Sequence, residues 1–308
     1  MMKSLLSMKD VDKKDIANLI SLAKDMKKNS AKYSASLKGK TLLMIFEKPS
    51  LRTRLSFDVG MKQLGGDAIV VDTGQTPFGT KESIEDTAKT CSRYVDCIMA
   101  RLFSHEKLVR LSEAAGIPII NGLTDDEHPA QILSDLLTIA EKKGKLQGLK
   151  FCYLGDGNNN VTHSLLIGCA MMGMDIAVGC PKGLQPNKEI VGYARRIASG
   201  SVTVTADPQE AISDADVVYT DSWMSYHIDP SIKEARARKL MPYQVNRKIA
   251  AFARKDFIFM HCLPASRGCE QTAEIIDGKH SVVFDQAENR LHMQKALLYM
   301  LLKGNGKK

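Results

Sequence analysis

Short apolar runs alternate along the chain with longer segments whose apolar positions recur at helical spacing. In the first half of the chain this helical spacing covers residues 8–28, 52–64 and 106–115. The apolar runs, each short enough to be a buried strand, are residues 42–46, 68–71, 97–100 and 117–120. Regular alternation of this kind predicts βαβ units built around a parallel sheet.

The same alternation begins again after the polar stretch at residues 143–145. Helical spacing recurs over residues 160–172, 188–198 and 286–302. The accompanying strand candidates are residues 151–154, 175–178, 202–204, 217–219 and 257–260. We therefore predict an α/β protein with two doubly wound parallel-sheet domains. Long helices join them, one being an amphipathic helix at about residues 130–143.

Composition and charge narrow the class of protein. With 308 residues, 44% hydrophobic and 25% charged, the chain has the length of two globular domains and is neither disordered nor fibrous. Its 43 basic and 35 acidic residues leave a net charge of +8, which favours anionic partners. Nucleic acid is a disfavoured partner, because acids are interspersed with the bases and only 6% of residues are aromatic.

The chain has no sign of a membrane or secretory segment. No apolar run approaches the roughly 20 residues of a membrane span, and no apolar segment follows the N-terminus. The seven cysteines contain no Cys-x-x-Cys pair, which argues against a disulfide framework or a zinc ribbon. We therefore expect a cytoplasmic protein with reduced thiols.

The segment after the first predicted strand carries groups suited to phosphate. It reads Glu47-Lys48-Pro49-Ser50-Leu51-Arg52-Thr53-Arg54. A helix that begins here offers free amide donors and a partial positive charge. Ser50 and Thr53 add hydroxyl donors, and Arg52 adds a planar fork that fits two phosphate oxygens. The alternative is that Ser50 merely caps the helix beside solvated arginines.

Two histidines stand at the ends of predicted elements. Pro129 suits the first position of a helix, so His128 lies at the cap, where a ligand can reach its imidazole. His261 and Cys262 end the last predicted strand, and ligands bind at that edge of open α/β sheets. The thiol suits either a covalent nucleophile or a group that holds an amine. The alternatives are a structural histidine and a buried cysteine.

Two further polar turns follow predicted strands. They read Gly155-Asp156-Gly157-Asn158-Asn159-Asn160 and Thr220-Asp221-Ser222-Trp223-Met224-Ser225-Tyr226. Asn160 stands where a dinucleotide fingerprint needs its third glycine, so a nicotinamide-dependent oxidoreductase is disfavoured. Amide groups suit a zwitterionic ligand, and Asp221 suits a cationic amine, although it also fits a turn.

In this order the five motifs resemble those of the aspartate/ornithine carbamoyltransferase family, on its ornithine-specific side. The resemblance covers nearly the whole chain, including Asn121-Gly122-Leu123 and Ala287-Glu288-Asn289-Arg290. Aspartate-specific members carry His-Pro-Leu-Pro in the third motif, whereas Cys262 fills its second position here. The resemblance implies transfer of the carbamoyl group of carbamoyl phosphate to the side-chain amine of L-ornithine. The products are L-citrulline and phosphate, within arginine metabolism.

The resemblance also implies an organisation. Residues 1–140 are expected to bind carbamoyl phosphate, with a C-terminal helix at about 288–308 packed back on them, and residues 145–285 to bind ornithine. No metal and no organic cofactor are implied. The expected partners are the two substrates and further copies of the chain, in a homotrimer or a multiple of trimers, and neither nucleic acid nor a membrane.

Site residues follow from the family by motif. The phosphate is assigned to Ser50, Leu51 through its amide, Arg52, Thr53 and Arg101. The carbamoyl group is assigned to Arg101, His128, Gln131, the carbonyl of Leu263 and Arg290. Ornithine is assigned to Asn159, Asp221, Ser225 and Tyr226, with Asp221 and Cys262 facing its side-chain amine. The implied catalytic residues are Arg101, His128, Asp221 and Cys262, and the bond from Leu263 to Pro264 is expected to be cis.

Three segments depart from the family pattern. Leu51 replaces the usual threonine, although its amide remains available. Pro77 replaces a glutamine or histidine that reaches a neighbouring subunit. The run Ser225-Tyr226-His227 replaces Ser-Met-Gly in a loop that covers the amino acid. This last change keeps putrescine and N-acetylornithine as alternative acceptors, with aspartate disfavoured.

Overall fold

The chain folds into two units, each with one parallel sheet. The computed structural model describes residues 2–75, 78–79, 81–224 and 228–303. The first unit contains Met1–Leu137 and Glu288–Lys308, and the second contains Thr138–Ala287. Parallel strands alternate with helices in both, which confirms the predicted α/β class.

Four parallel strands form the described sheet of the first unit. They are β1 (Thr41–Phe46), β2 (Asp67–Asp72), β3 (Cys97–Arg101) and β4 (Ile119–Leu123). Their spatial order is β2-β1-β3-β4. The chain thus places β2 on one side of β1 and then crosses to place β3 on the other side. Phe46 at the end of β1 pairs with Arg101 at the end of β3. Ligands of doubly wound sheets bind at such a switch point, outside the carboxyl ends of the strands.

Helices of the first unit begin at polar caps. They are α1 (Lys13–Lys28), α2 (Leu51–Gln63), α3 (Ile84–Cys91), α4 (His105–Ala115) and α5 (Pro129–Lys142). Side-chain oxygens that accept a first-turn N–H of α1 to α4 belong to Asp12, Ser50, Ser83 and Ser104. One hydrophobic cluster fills the space between the sheet and α3 and α4, and includes Leu43, Ile98, Ala88, Leu108 and Leu111.

Two predicted boundaries in this unit are wrong. The helix expected over 8–28 is a short 3-10 helix, Met8–Asp10, followed by α1, because Asp12 caps a new helix at Lys13. The strand expected at 117–120 begins at Ile119, since Pro118 has no N–H to donate to a ladder. It continues to Leu123 because it stays paired with β3, where Ala100 lies opposite Asn121 and Arg101 opposite Leu123.

The second unit contains a described sheet of five parallel strands. They are β5 (Lys150–Leu154), β6 (Asp175–Gly179), β7 (Val202–Thr205), β8 (Val217–Tyr219) and β9 (Ile258–Met260). The order β7-β6-β5-β8-β9 puts the switch point between β5 and β8. Tyr219 is central there, because it pairs with Tyr153 on one side and Met260 on the other.

The helices of the second unit are α6 (Asn160–Met171), α7 (Lys188–Ile197), α8 (Pro208–Ile212), α9 (Lys233–Leu240), α10 (Arg247–Ala250) and α11 (Ala273–Ile276). The last described helix is α12 (Val283–Lys303). Both α5 and α12 run from one unit into the other, as predicted for long connecting helices. Within the described ranges, no helix combines the length and apolarity that crossing a membrane requires.

Candidate active site

The N-terminus of α2 forms a polar turn directly after β1. Ser50 caps the helix, since its Oγ accepts the Thr53 N–H at 3.3 Å and donates to Thr53 Oγ1 at 3.0 Å. The capping interpretation is therefore correct, and it leaves the first amides of the helix available to an anion. Leu51 points outward with 68% of its surface exposed, so its backbone is what it can offer a ligand here. Arg52 is half-buried; its carbonyl accepts the Ser56 hydroxyl at 2.6 Å, and its guanidinium makes no hydrogen bond or ion pair with the described residues.

Two arginines come to this turn from distant parts of the first unit. Arg101 is buried at the end of β3, beside the end of β1. Arg290, also buried, lies on α12 and donates through Nη2 to Thr53 Oγ1 at 2.7 Å. The fold thus gathers a helix N-terminus and two guanidinium groups from residues almost 240 positions apart. Such a set suits a ligand with several negatively charged oxygens.

The start of α5 adds a histidine and an amide. His128 and Gln131 are both buried, and the Gln131 N–H donates to the His128 carbonyl at 3.1 Å. Gln131 Nε2 donates to Asp135 Oδ1 at 2.9 Å. Its Oε1 has no hydrogen-bond partner among the described residues, which leaves a buried acceptor for an N–H group of a ligand.

Sequence reasoning missed Lys48, which is the most buried cation beside this turn. Its side chain is 2% exposed, forms an ion pair with Asp125 and places Nζ 4.4 Å from the centre of the Phe103 ring. Burial lowers the pKa of Lys48, and Asp125 opposes that shift. Lys48 directly precedes Pro49 and Ser50 in the motif, and this position was the only sequence feature that pointed to it. Position alone does not distinguish a buried lysine at the site from a solvated one.

His128 stays neutral in this cationic surrounding. Its burial lowers its pKa well below the usual 6.5, and Arg290, Arg101 and Lys48 lower it further. A neutral imidazole donates a single N–H, so His128 can bind an oxygen without carrying charge. An anionic ligand would offset the three cations that act on it.

The shifted His128 predicts a dependence of stability on pH. As pH falls through about 6.5, the unfolded histidine takes up a proton that the folded one refuses, so unfolding becomes easier. We expect the unfolding free energy to fall by up to about 1.4 kcal/mol per pH unit from this group below pH 6.5. Urea unfolding of wild type and His128→Asn between pH 8 and 5, in phosphate-free buffer, measures it. The variant should show the shallower decline, and equal slopes would contradict the assignment.

In the second unit, Asn159 is built into the turn between β5 and α6. It caps α6 by accepting the Thr162 N–H on Oδ1 at 2.9 Å. Its Nδ2 donates to the Tyr153 hydroxyl at 2.9 Å and to the Asp156 carbonyl at 2.6 Å. The amide therefore has a structural task, and a ligand can only use the second lone pair of Oδ1.

Asp221 and Cys262 meet at the carboxyl ends of β8 and β9. The Cys262 thiol donates to Asp221 Oδ1 at 3.0 Å, and the Ser222 N–H donates to the same oxygen at 2.7 Å. Both side chains are half-buried and therefore reachable by a small ligand. A carboxylate beside a thiol at this edge suits an amine, as the sequence predicts.

His261 does not act as a base for Cys262. Its Nδ1 accepts the Leu263 N–H at 2.9 Å, so Nε2 carries the hydrogen and donates to the buried Glu270 at 3.3 Å. Asp221, His261 and Cys262 place possible metal-ligand atoms within 4.8 Å of one another. However, both nitrogens of His261 already have partners, which leaves only a carboxylate and a thiol for an ion. The bond from Leu263 to Pro264 is cis, as the resemblance implies.

Four positions named from the sequence lie outside the described residues: Pro77, Ser225, Tyr226 and His227. The structure in turn brings a side chain from outside the motifs to one of these turns. Arg236 on α9 forms a buried ion pair with Asp156 in the β5–α6 turn. The sequence carried no signal for this pair, because its members are 80 residues apart.

Two family models match the chain. Residues 3–141 match the carbamoyl-P binding domain of aspartate/ornithine carbamoyltransferase, and residues 147–301 match the Asp/Orn binding domain of the same family.

Curated relatives and solved structures agree with these matches. The ornithine carbamoyltransferase of Anoxybacillus flavithermus is 52% identical over 306 residues, which is 97% of this chain and 96% of the relative. That of Bacillus subtilis is 51% identical over 310 residues, covering 99% and 96% of the two chains. The solved structure of the Pyrococcus furiosus ornithine carbamoyltransferase superposes with a TM-score of 0.95 at 44% identity, covering 99% and 98%.

Proposed function

The chain belongs to the aspartate/ornithine carbamoyltransferase family, and on that premise we propose that it transfers the carbamoyl group of carbamoyl phosphate to the side-chain amine of L-ornithine. The products are L-citrulline and phosphate, and the reaction belongs to arginine metabolism. The observation that carries the proposal is the convergence of Arg101, Arg290 and neutral His128 near the N-terminus of α2. It offers many donors and almost no acceptors, as a dianionic acyl phosphate requires.

Carbamoyl phosphate is assigned to the first unit. Its phosphate oxygens accept hydrogen bonds from the hydroxyl of Ser50, the amides of the first turn of α2 and the guanidinium of Arg52, at a helix end that favours anions. Thr53 is held by Arg290, whose Nη2 donates to Thr53 Oγ1, so the orientation of the Thr53 hydroxyl is restricted before the ligand arrives. The Ser50 hydroxyl, which donates to Thr53 without ligand, turns to the phosphate when it binds. Restricted donors lose little entropy on binding.

The carbamoyl group is assigned to neighbouring side chains. Arg101, the Thr53 hydroxyl and the N–H of His128 donate to the carbonyl oxygen, on which negative charge grows during attack. Gln131 Oε1 accepts from the carbamoyl nitrogen, which gives that buried oxygen its partner. We assign the carbonyl of Leu263 to the same nitrogen and Arg290 to the pocket that encloses the group.

Ornithine is assigned to the second unit. Asp221 and Cys262 bind its amino groups at the ends of β8 and β9. Asn159 Oδ1, Ser225 and Tyr226 bind the rest of the amino acid. The neutral side-chain amine attacks the carbonyl carbon, the bond from that carbon to the phosphate oxygen breaks, and the departing phosphate takes the proton of the amine.

An amine panel tests the proposal. Purified protein and carbamoyl phosphate are mixed with ornithine, N-acetylornithine, putrescine, lysine or aspartate, and the carbamoylated product is identified by mass spectrometry. We expect citrulline from ornithine to form with the highest kcat/KM. A faster reaction with putrescine or N-acetylornithine would overturn the acceptor while retaining carbamoyl transfer, and no product with any amine would overturn the whole proposal.

We also propose a homotrimer or a multiple of trimers in the cytoplasm. Leu51, Leu55 and Val59 recur every four residues on α2 and expose an apolar stripe, which is the kind of surface that a second copy covers. The structure describes all seven cysteines and none of them forms a disulfide, in agreement with the reducing compartment that we propose. Native mass spectrometry gives the subunit number directly, and a monomer would contradict the assembly.

A further inference from the structure

We propose that Arg236 is a positioning residue for the amine acceptor, because it ties the turn that carries Asn159 to the segment that carries Asp221. This inference rests on the proposed function, and it concerns a residue that lies on α9, outside all the motifs described above.

One guanidinium bonds two segments that are far apart in sequence. Arg236 Nη2 forms an ion pair with Asp156 Oδ2 in the β5–α6 turn, and Arg236 Nε donates to the Trp223 carbonyl at 2.5 Å. The two charged side chains are only 10% and 5% exposed. Because they are shielded from water, removing one partner leaves the other charge buried and uncompensated, which costs more than breaking a surface ion pair.

The position of Asp156 is passed on to Asn159. Asp156 Oδ1 accepts the Asn158 N–H at 3.0 Å, and the Asp156 carbonyl accepts from Asn159 Nδ2 at 2.6 Å. A shift of Asp156 would therefore move the amide that we assign to the acceptor.

The position of Trp223 affects Asp221 through the short stretch of backbone between them. The Trp223 indole is buried and packs over the β5–α6 turn, where a Cβ on Gly155 would lie 3.5 Å from Nε1. Gly155 also has a φ of +134°, which side chains rarely adopt. Asp221 is two residues before Trp223, so the contact and the Arg236 bond together restrain the backbone that carries its carboxylate.

Charge adds a second reason for Arg236. Burial raises the pKa of Asp156, the neighbouring Asp221 raises it further, and Arg236 opposes both. Without Arg236 the Asp156 carboxylate would be buried and uncompensated next to Asp221. It would then either take up a proton or attract the amino groups that Asp221 should bind.

Steady-state kinetics test this role. We expect Arg236→Gln to raise the KM for ornithine about 10- to 100-fold, the loss of one bond to a charged group, with the KM for carbamoyl phosphate within about twofold of wild type. Arg236→Lys keeps the charge but loses the fork, so it should recover part of the affinity. Asp156→Asn is measured alone and together with Arg236→Gln, because the double variant no longer has a buried, uncompensated charge. The fold-increase in its KM for ornithine should be smaller than the product of the fold-increases in the two single variants.

Matched controls separate this role from general damage. Arg238→Gln changes an arginine on the same helix whose side chain is 75% exposed, and Arg267→Gln breaks an exposed pair with Asp277. Neither should change either KM. Trp223 is the only tryptophan, so its fluorescence reports on this segment without substrate. Arg236→Gln should shift its emission to longer wavelength and make it more accessible to iodide, and the controls should not.

Each outcome has a defined meaning. An unchanged ornithine KM in Arg236→Gln, with or without a fluorescence shift, overturns the inference, as does an equal rise in both KM values. If Arg236→Gln does not fold, as judged by circular dichroism, Arg236→Lys decides by the same criteria. A wild-type protein that carbamoylates no amine overturns the proposed function instead, and it is recognised before any variant is made.

Discussion

Arg101→Ala is expected to reduce kcat/KM for carbamoyl phosphate by at least about 10³. One donor to a developing oxyanion is typically worth about 3 kcal/mol, and this guanidinium is also assigned to the phosphate. The residue is buried at the end of β3 and faces His128 in company with Lys48 and Arg290. Arg101 is the only cation on β3, so no other side chain of that strand can replace its guanidinium.

The apo fold should survive this change. Arg101 stands among cations, so its removal relieves repulsion as well as deleting packing. We expect the melting temperature without ligand to remain near wild type, and the stabilisation by added carbamoyl phosphate to disappear. Arg52→Ala should behave alike, whereas Arg110→Ala, which breaks an exposed pair with Glu85, should leave kinetics unchanged. Near-normal turnover in Arg101→Ala would mean that the phosphate assignment is wrong.

Asp221→Asn should raise the KM for ornithine about 100-fold or more while carbamoyl phosphate still binds. The carboxylate accepts from the Cys262 thiol and the Ser222 amide on one oxygen, and it is the charge that we assign to the amino groups of the acceptor. The amide variant keeps the shape and loses the charge, so it removes a charge-assisted bond rather than a packed side chain.

Two separate titrations check this prediction. Calorimetry with carbamoyl phosphate alone measures the Kd of that substrate, and initial rates at varied ornithine concentration measure the KM for ornithine. Cys262→Ala should show the same selectivity with a smaller effect of about tenfold, because it removes a neutral partner of Asp221. Asp277→Asn and the exposed Cys269→Ala are the matched controls. Equal losses of both substrates in Asp221→Asn would contradict an acceptor site at this carboxylate.

Local patterns predicted most strands and the long helices correctly, and they failed for short elements. Apolar runs marked all of the strands described in both units, because each run is long enough for a buried strand and too short for an ordinary helix. The helices α10 and α11 have four residues each, too few for a periodic signal. They form because Ile249 and Ile276 are buried in the core of the second unit, which is a tertiary effect.

Motif order was sufficient for the family, because each motif combines a strand end with residues of definite chemistry. The partners of those residues were not predictable in the same way. The residues around Ser50 were enough to predict that it caps α2, whereas the hydrogen bond from Arg290 to Thr53 joins residues 237 positions apart. The sequence also did not distinguish Cys262 as a covalent nucleophile from Cys262 as a group that holds an amine. The structure disfavours the nucleophile, because both nitrogens of His261 have other partners and neither can act as its base.

From the chain alone one can read where strands end and which chemical groups stand there, since burial and helix capping are local properties. Strand order is not local. Pairing of β8 with β9 places Asp221 beside Cys262, and folding of α9 onto the β5–α6 turn buries Arg236 against Asp156. An apolar run specifies that a segment is buried but not which neighbour it pairs with, so these contacts arise only when the whole sheet and its helices pack together.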